Sequence, residues 1–192
     1  MSSGASLFGL CVACSALLAS ACAHDARPTT TPQPAVQTAT PSAAALFERG
    51  SQLASQGQYP EAESALSQAL SAGHPAARVL PVLLDVCRDS GRPAAGVEYA
   101  APYLQLNPAD FQLRYRVALL LLDLGAYERA RSELSRVLDT APNYAPAHYA
   151  LALTLRDHFH DDAAAARHFA AYHRLQAQGQ ARRPTSQRSS VL

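Results

Sequence analysis

The sequence predicts an all-α protein made of about four stacked helical hairpins, and three observations support this fold class. Glycines recur at a spacing of 34 residues, at Gly57, Gly91 and Gly125. Alanine is the most frequent residue and glycine fills only 9 of the 192 positions, a composition that favours helices. Other small residues and leucines share the 34-residue interval: Ala62, Gly96, Ala130 and Ala164, and Leu70, Leu104 and Leu138.

Each repeating unit carries two amphipathic helices that are not stable alone. Leu46, Gly50 and Leu53 follow the i, i+4, i+7 spacing of one helical face, and Ala62 and Leu66 begin a similar face on the next helix. A single hairpin leaves one of its faces uncovered. Three or more hairpins must therefore stack to bury a continuous core.

The details of this period resemble the tetratricopeptide repeat. The resemblance rests on the turn glycines, the tyrosines two residues after them, the small residues where paired helices cross and the prolines after the second helix: Gly57, Gly91, Gly125, Tyr59, Tyr127, Ala62, Ala130, Pro108 and Pro142. It implies a right-handed superhelical solenoid with a concave inner wall. The implied repeats span 43–76, 77–110, 111–144 and 145–178. Pro93 and Gly96 depart from the family pattern in the second repeat.

The fourth repeat departs from the pattern at its central turn. Phe159 stands where the turn glycine is expected, and the turn at 158–162 is about one residue longer than the others. This shift predicts that Phe169 and Tyr172, rather than His168, face inward.

The resemblance also implies that the first helix of each repeat lines the concave wall and binds extended or helical peptides. The side chains expected in this groove are Phe47, Arg78, Asp85, Arg88, Tyr115, Leu119, Tyr149 and Arg156. Aromatic and Arg side chains most often dominate the binding energy of protein interfaces. The alternative interpretation is that several of them are solvated or packed between repeats. The chain has no Lys, so the Lys and Asn clamp of chaperone-binding members is absent.

The N-terminus predicts an export signal. Residues 7–19 form an apolar segment with the length of a signal-peptide core, which is too short for a comfortable membrane span. The Leu-Ala-Ser-Ala-Cys at 18–22 resembles the lipobox of bacterial lipoproteins, which implies removal of a signal peptide at 1–21 and lipidation of Cys22. Ala23 is not Asp, which implies the outer membrane of a Gram-negative envelope, facing the periplasm. A cleaved soluble-secretion signal or an uncleaved short anchor are the alternatives.

Two further segments are predicted to lie outside the repeats. Residues 26–42 contain four Pro and five Thr, so we expect 22–42 to be a disordered tether that follows the lipidated cysteine. The end of the chain, 179–192, carries three Arg and no acidic residue, and we expect it to be a disordered basic tail.

Other classes of function receive little support. The net charge of +1 disfavours nucleic-acid binding. We found no Gly-rich phosphate loop, so we expect no cofactor, no small-molecule substrate and no enzymatic activity. His158 and His160 lie beside acidic residues and could touch a metal, whereas His168 and His173 are spaced too far apart to share a helical face. A metal-binding or enzymatic role of this His-rich fourth repeat is kept as an alternative.

The sequence therefore predicts a lipid-anchored scaffold of the cell envelope. It would bind protein partners of the envelope through the concave wall and aid the assembly of a complex, with the membrane contacted through its N-terminal lipid. The main alternative is a soluble cytoplasmic or periplasmic adaptor with the same repeats and no lipid anchor.

Overall fold

The computed structural model describes residues 41–181, and in this range the chain forms eight α-helices and no strand. In chain order they are α1 (Ala43–Ser55), α2 (Tyr59–Ser71), α3 (Ala76–Asp89), α4 (Pro93–Leu106), α5 (Phe111–Asp123), α6 (Tyr127–Thr140), α7 (Ala145–Phe159) and α8 (Asp162–Ala181). None of these helices combines the length and apolar character needed to cross a bilayer. The predicted signal peptide, Cys22 and most of the tether and tail lie outside the described residues.

The helices pair as four successive hairpins that stack in chain order. Each helix packs against the one before it and the one after it, and α1 also contacts α3, as α3 contacts α5. This sequential packing is that of a solenoid, and it confirms the predicted all-α architecture. The odd-numbered helices are the first helices of the hairpins. The bulkiest apolar side chains buried between helices are Leu66, Leu80, Leu83, Leu84, Leu120, Leu121 and Leu134.

The turn inside each of the first three hairpins depends on glycine. Gly57, Gly91 and Gly125 have φ values of 73°, 71° and 70°, in the left-handed region where a residue with a Cβ loses about 1–2 kcal/mol. In the fourth hairpin His160 takes this conformation, with φ of 54°. α7 continues through Phe159, so the extra residue expected at this turn moves the left-handed position to His160.

Gly96 replaces the usual crossing alanine because the next hairpin fills the space beside it. A Cβ built on Gly96 would lie 2.6 Å from Leu120 Cδ1 and 3.2 Å from Cys87 Cβ. Leu120 belongs to α5 and is 1% exposed, so it has little room to move. The departure from the repeat pattern at Gly96 thus accommodates a leucine of the third hairpin.

Replacing Gly96 with alanine is expected to lower the free energy of unfolding by about 1–2 kcal/mol, because crowding against Leu120 outweighs the gain in helix propensity. Gly179→Ala is the matched control, since nothing lies within 4 Å of a Cβ built there. That control should be neutral or slightly stabilising. Urea denaturation followed by circular dichroism measures both changes, and equal stability of Gly96→Ala and the wild type would contradict the packing argument.

Candidate functional site

A groove of about 480 Å³ is lined mainly by α3 and α5, and Tyr144 contributes to its wall. Its apolar lining includes Pro81, Leu84 and Leu119, and charged side chains lie along the same walls. Of the eight residues predicted for the concave wall, the structure brings four together here. They are Asp85, Arg88, Tyr115 and Leu119. We call this site the inner groove.

One register position repeats along the inner helices and carries ring side chains. Its members are 34 residues apart in the sequence: Phe47, Pro81, Tyr115 and Tyr149. Each aromatic member packs against a ring from another segment. Phe47 stacks on His74 with ring centroids 4.7 Å apart. Tyr115 meets Tyr144 edge-on, with a centroid distance of 5.2 Å. Tyr149 meets Tyr172 with a centroid distance of 5.0 Å. These contacts hold the rings in place along the wall.

Two ion pairs connect α3 to α5 across the inner groove. Arg88 Nε lies 2.7 Å from Asp123 Oδ2, and Arg116 donates to Asp85. The four side chains are between 36% and 55% exposed, so each pair contributes at most about 1 kcal/mol to stability. Their main effect is therefore to hold four charges in fixed places and to leave the groove close to neutral.

The phenol of Tyr115 is a hydrogen-bond donor over the whole physiological range. Burial raises the pKa of Tyr115, the neighbouring Tyr144 raises it further, and the positive charge of Arg88 opposes both effects. The side chain is half-buried, and its ring forms part of the groove wall. Tyr115 thus offers an apolar ring and a polar tip in one place, a combination common at protein interfaces.

Sequence reasoning missed nine of the thirteen residues that line the groove, among them Pro81, Arg116 and Tyr144. Pro81 lies inside α3 and lacks the N–H that would bond to the carbonyl of Ala77, which also lines the groove. The signal for Pro81 was available as a proline inside an apolar helical pattern. Tyr144 precedes α7, and nothing in the helical periodicity places a loop residue in a groove.

The other four predicted residues lie outside the inner groove. Phe47 is half-buried on α1, and Arg78 is exposed on α3. Tyr149 is 44% exposed on α7. Arg156 pairs with the adjacent Asp157 at 2.6 Å, and its guanidinium lies 5.6 Å from the ring centroid of Phe169.

Most of the His residues of the fourth hairpin make contacts with other rings. His148 and His168 approach Nδ1 to Nδ1 at 2.9 Å, and His148 Nε2 lies 2.9 Å from the carbonyl of Pro142. His158 stacks on Tyr127 with centroids 3.5 Å apart. Phe169 packs on the core as expected, but His168 is also half-buried, because His148 gives it a partner. In residues 41–181 no three potential ligands are grouped to hold a metal.

Cys87 belongs to α3 of the second hairpin and is buried. Its side chain is inaccessible to solvent. Burial raises the pKa of the thiol to about 11, and the negative charge of Glu63 adds to this effect. The positive charge of Arg92 opposes both. The reactive form of cysteine is the thiolate, so this residue is a poor nucleophile in the folded protein. In the core it packs as a small apolar side chain.

Comparisons with known proteins agree with this geometry. Residues 88–154 match the family described as Tetratricopeptide repeat. The fold is similar to YrrB, a TPR protein with an unusual peptide-binding site (22% identity, TM-score 0.61, 70% of this chain and 69% of that chain). It is also similar to MamA (14% identity, TM-score 0.66, 73% of this chain and 81% of that chain). A third similar structure is MamA 41-end from Desulfovibrio magneticus RS-1 (18% identity, TM-score 0.65, 72% of this chain and 78% of that chain). No curated protein matches the chain in sequence.

The stack of hairpins places this chain among the helical-repeat proteins. The family match runs from the end of α3 into α7, and the solved structures named above share the fold of stacked helical hairpins.

Acidification is expected to destabilise the fourth hairpin through His168. Burial lowers the pKa of His168, and the charges of His148 and Arg167 lower it further. In the unfolded chain the pKa is about 6.5, so the unfolded state binds more protons as the pH falls through that value. The free energy of unfolding should therefore be highest above neutral pH and should decrease between about pH 7 and pH 5.

Urea denaturation across that pH range tests the assignment. In the His168→Gln variant the decrease should be smaller, whereas the exposed His173→Gln on the same helix should leave it unchanged. A pH dependence identical in His168→Gln and the wild type would show that another group titrates.

Proposed function

We propose that this protein is a lipid-anchored scaffold of the bacterial cell envelope that holds a segment of a partner protein in its inner groove. The observation that carries the proposal is the groove itself, which combines an apolar floor, fixed aromatic rings and charges paired across two helices. The tetratricopeptide fold supports a role in protein–protein interaction. Proteins with this fold are generally non-enzymatic scaffolds, and we propose binding without catalysis here.

The groove chemistry favours an extended segment with one apolar side chain. Pro81, Tyr115 and Leu119 would surround that side chain, and Gln112 is exposed at the rim, where it can bond to peptide groups. Because Pro81 has no N–H to donate to the Ala77 carbonyl, that carbonyl would be available to accept a hydrogen bond from a partner. The similarity to YrrB, which has a peptide-binding site, supports the same class of ligand.

A photocrosslinking experiment in the native cell tests the inner groove. Benzoylphenylalanine at Gln112 should form an adduct with a partner protein, and the same group at Ala170, exposed on α8, should not. Adding Arg88→Ala or Tyr115→Ala should weaken the Gln112 adduct severalfold, because both side chains line the groove and Arg and Tyr often dominate interfaces. Circular dichroism checks that both variants keep their helices. An adduct of unchanged yield in both variants would contradict the groove as the binding site.

The anchoring part of the proposal rests on the sequence alone. The apolar segment 7–19 followed by Leu-Ala-Ser-Ala-Cys supports cleavage before Cys22 and its acylation. Several acyl chains, at ~0.8 kcal/mol per buried methylene, would hold the protein on a bilayer almost permanently. We propose the periplasmic face of the outer membrane as its location. There it would contribute to the assembly of an envelope complex.

Metabolic labelling with an alkyne fatty acid tests the lipid anchor. The wild type should incorporate the label and sediment with membranes, and Cys22→Ala should lose both properties. Cys14→Ala is the matched control, because Cys14 lies in the segment expected to be removed. Equal labelling of the wild type and Cys22→Ala would favour the soluble adaptor.

A further inference from the structure

A second groove of about 390 Å³ is lined by α4, α5 and α6 and by Pro108. Its floor is apolar and includes Val97, Leu104 and Leu121, whereas its rim carries Arg129 and Arg136. We call it the outer groove. Its walls share no residue with the inner groove, so a ligand here does not depend on the proposed function.

A buried guanidinium is built into the wall of the outer groove. Arg114 is 8% exposed, and its Nη1 lies 2.5 Å from Glu133 Oε2 while its Nη2 donates to the Pro108 carbonyl at 3.0 Å. The buried Nε of Arg114 has no acceptor in residues 41–181. A buried charge is costly unless its donors are compensated. Glu133 and the Pro108 carbonyl thus satisfy two nitrogens of this guanidinium, and its Nε donor is left without a partner in the described residues.

The rim gives the groove an excess of positive charge. Glu133 is shared between Arg114 and Arg136, whose Nη1 lies 3.1 Å from Glu133 Oε1. Arg129 is exposed and forms no ion pair with any residue of 41–181. Three Arg therefore face one carboxylate. The inner groove differs, because each of its two ion pairs joins one cation to one anion.

One apolar side chain near the end of α4 is left uncovered. Leu106 follows the lining residue Gln105 at the end of α4 and is 83% exposed. Together with the apolar floor it offers surface that gains free energy when a partner covers it. The surface thus combines uncovered apolar area with unbalanced positive charge, and a partner must complement both.

We propose that the outer groove binds an acidic, amphipathic segment of a protein, with an apolar side chain on the floor and carboxylates against Arg129 and Arg136. Carboxylates suit this rim because guanidinium groups can bind them through two parallel hydrogen bonds. A polyanion without apolar groups, such as nucleic acid, would leave the floor and Leu106 uncovered. The scaffold then has two faces of different chemistry, one nearly neutral and one cationic.

Peptide display tests the outer groove on the full chain. A random peptide library on phage is panned on the immobilised wild type, after phage that bind the Arg129→Glu/Arg136→Glu variant have been removed. The remaining peptides should carry at least two acidic residues beside an apolar one. A synthetic peptide of the enriched sequence should bind about tenfold more weakly to the double variant, with a weaker salt dependence, in fluorescence anisotropy.

The controls separate this site from the inner groove and from simple charge attraction. Arg174→Glu, a charge reversal on exposed α8, and Tyr115→Ala should leave the affinity within about twofold of the wild type. Arg129→Gln/Arg136→Gln serves as the test variant if the charge reversal unfolds the chain in circular dichroism. The proposal is overturned if no peptide is enriched, if the enriched peptides are not acidic, if Tyr115→Ala abolishes their binding, or if poly-glutamate binds as tightly.

Discussion

Helices in this protein are stable only because hairpins cover one another. The side chains that are most completely buried, such as Leu66, Leu80 and Leu120, lie between neighbouring helices of the stack. Burial of apolar area contributes about 25 cal/mol per Å², so every hairpin depends on its neighbours for much of its stability. The contact at Gly96 shows how closely the hairpins pack, because Leu120 leaves no room there for even one methyl group. The grooves exist because this stacking fixes the spacing between the first helices of successive hairpins and between their second helices.

The period of 34 residues was sufficient to predict the number, order and approximate limits of the hairpins. It succeeded because a turn that requires a left-handed residue and a crossing that requires a small one leave visible marks at Gly57, Gly91 and Ala130. At the fourth turn the missing glycine indicated one extra residue, and the structure places the left-handed conformation at His160. Periodicity did not show which residue would adopt that conformation, because this depends on where α7 ends.

The register also placed Asp85, Arg88, Tyr115 and Leu119 on a common wall, and the structure puts them in one groove. It could not indicate that Arg88 and Asp123 neutralise each other, because that pairing depends on the distance between two helices. It gave no sign of the outer groove either. There the important facts are the burial of Arg114 and the sharing of Glu133 by two Arg, which arise only after the chain has folded.

The single cysteine of the described chain, Cys87, has a consequence for how the motions of this scaffold can be followed. It lies on α3 of the second hairpin beside Gly96 of α4, inaccessible to solvent and with a pKa of about 11. A thiol-reactive probe reaches Cys87 only when the helices packed around it separate. The modification rate of Cys87 therefore measures local opening. The rate of Cys87 modification therefore reports fluctuations in the middle of the array. A partner segment that bridges α3 and α5 would lower this rate without contacting the sulfur.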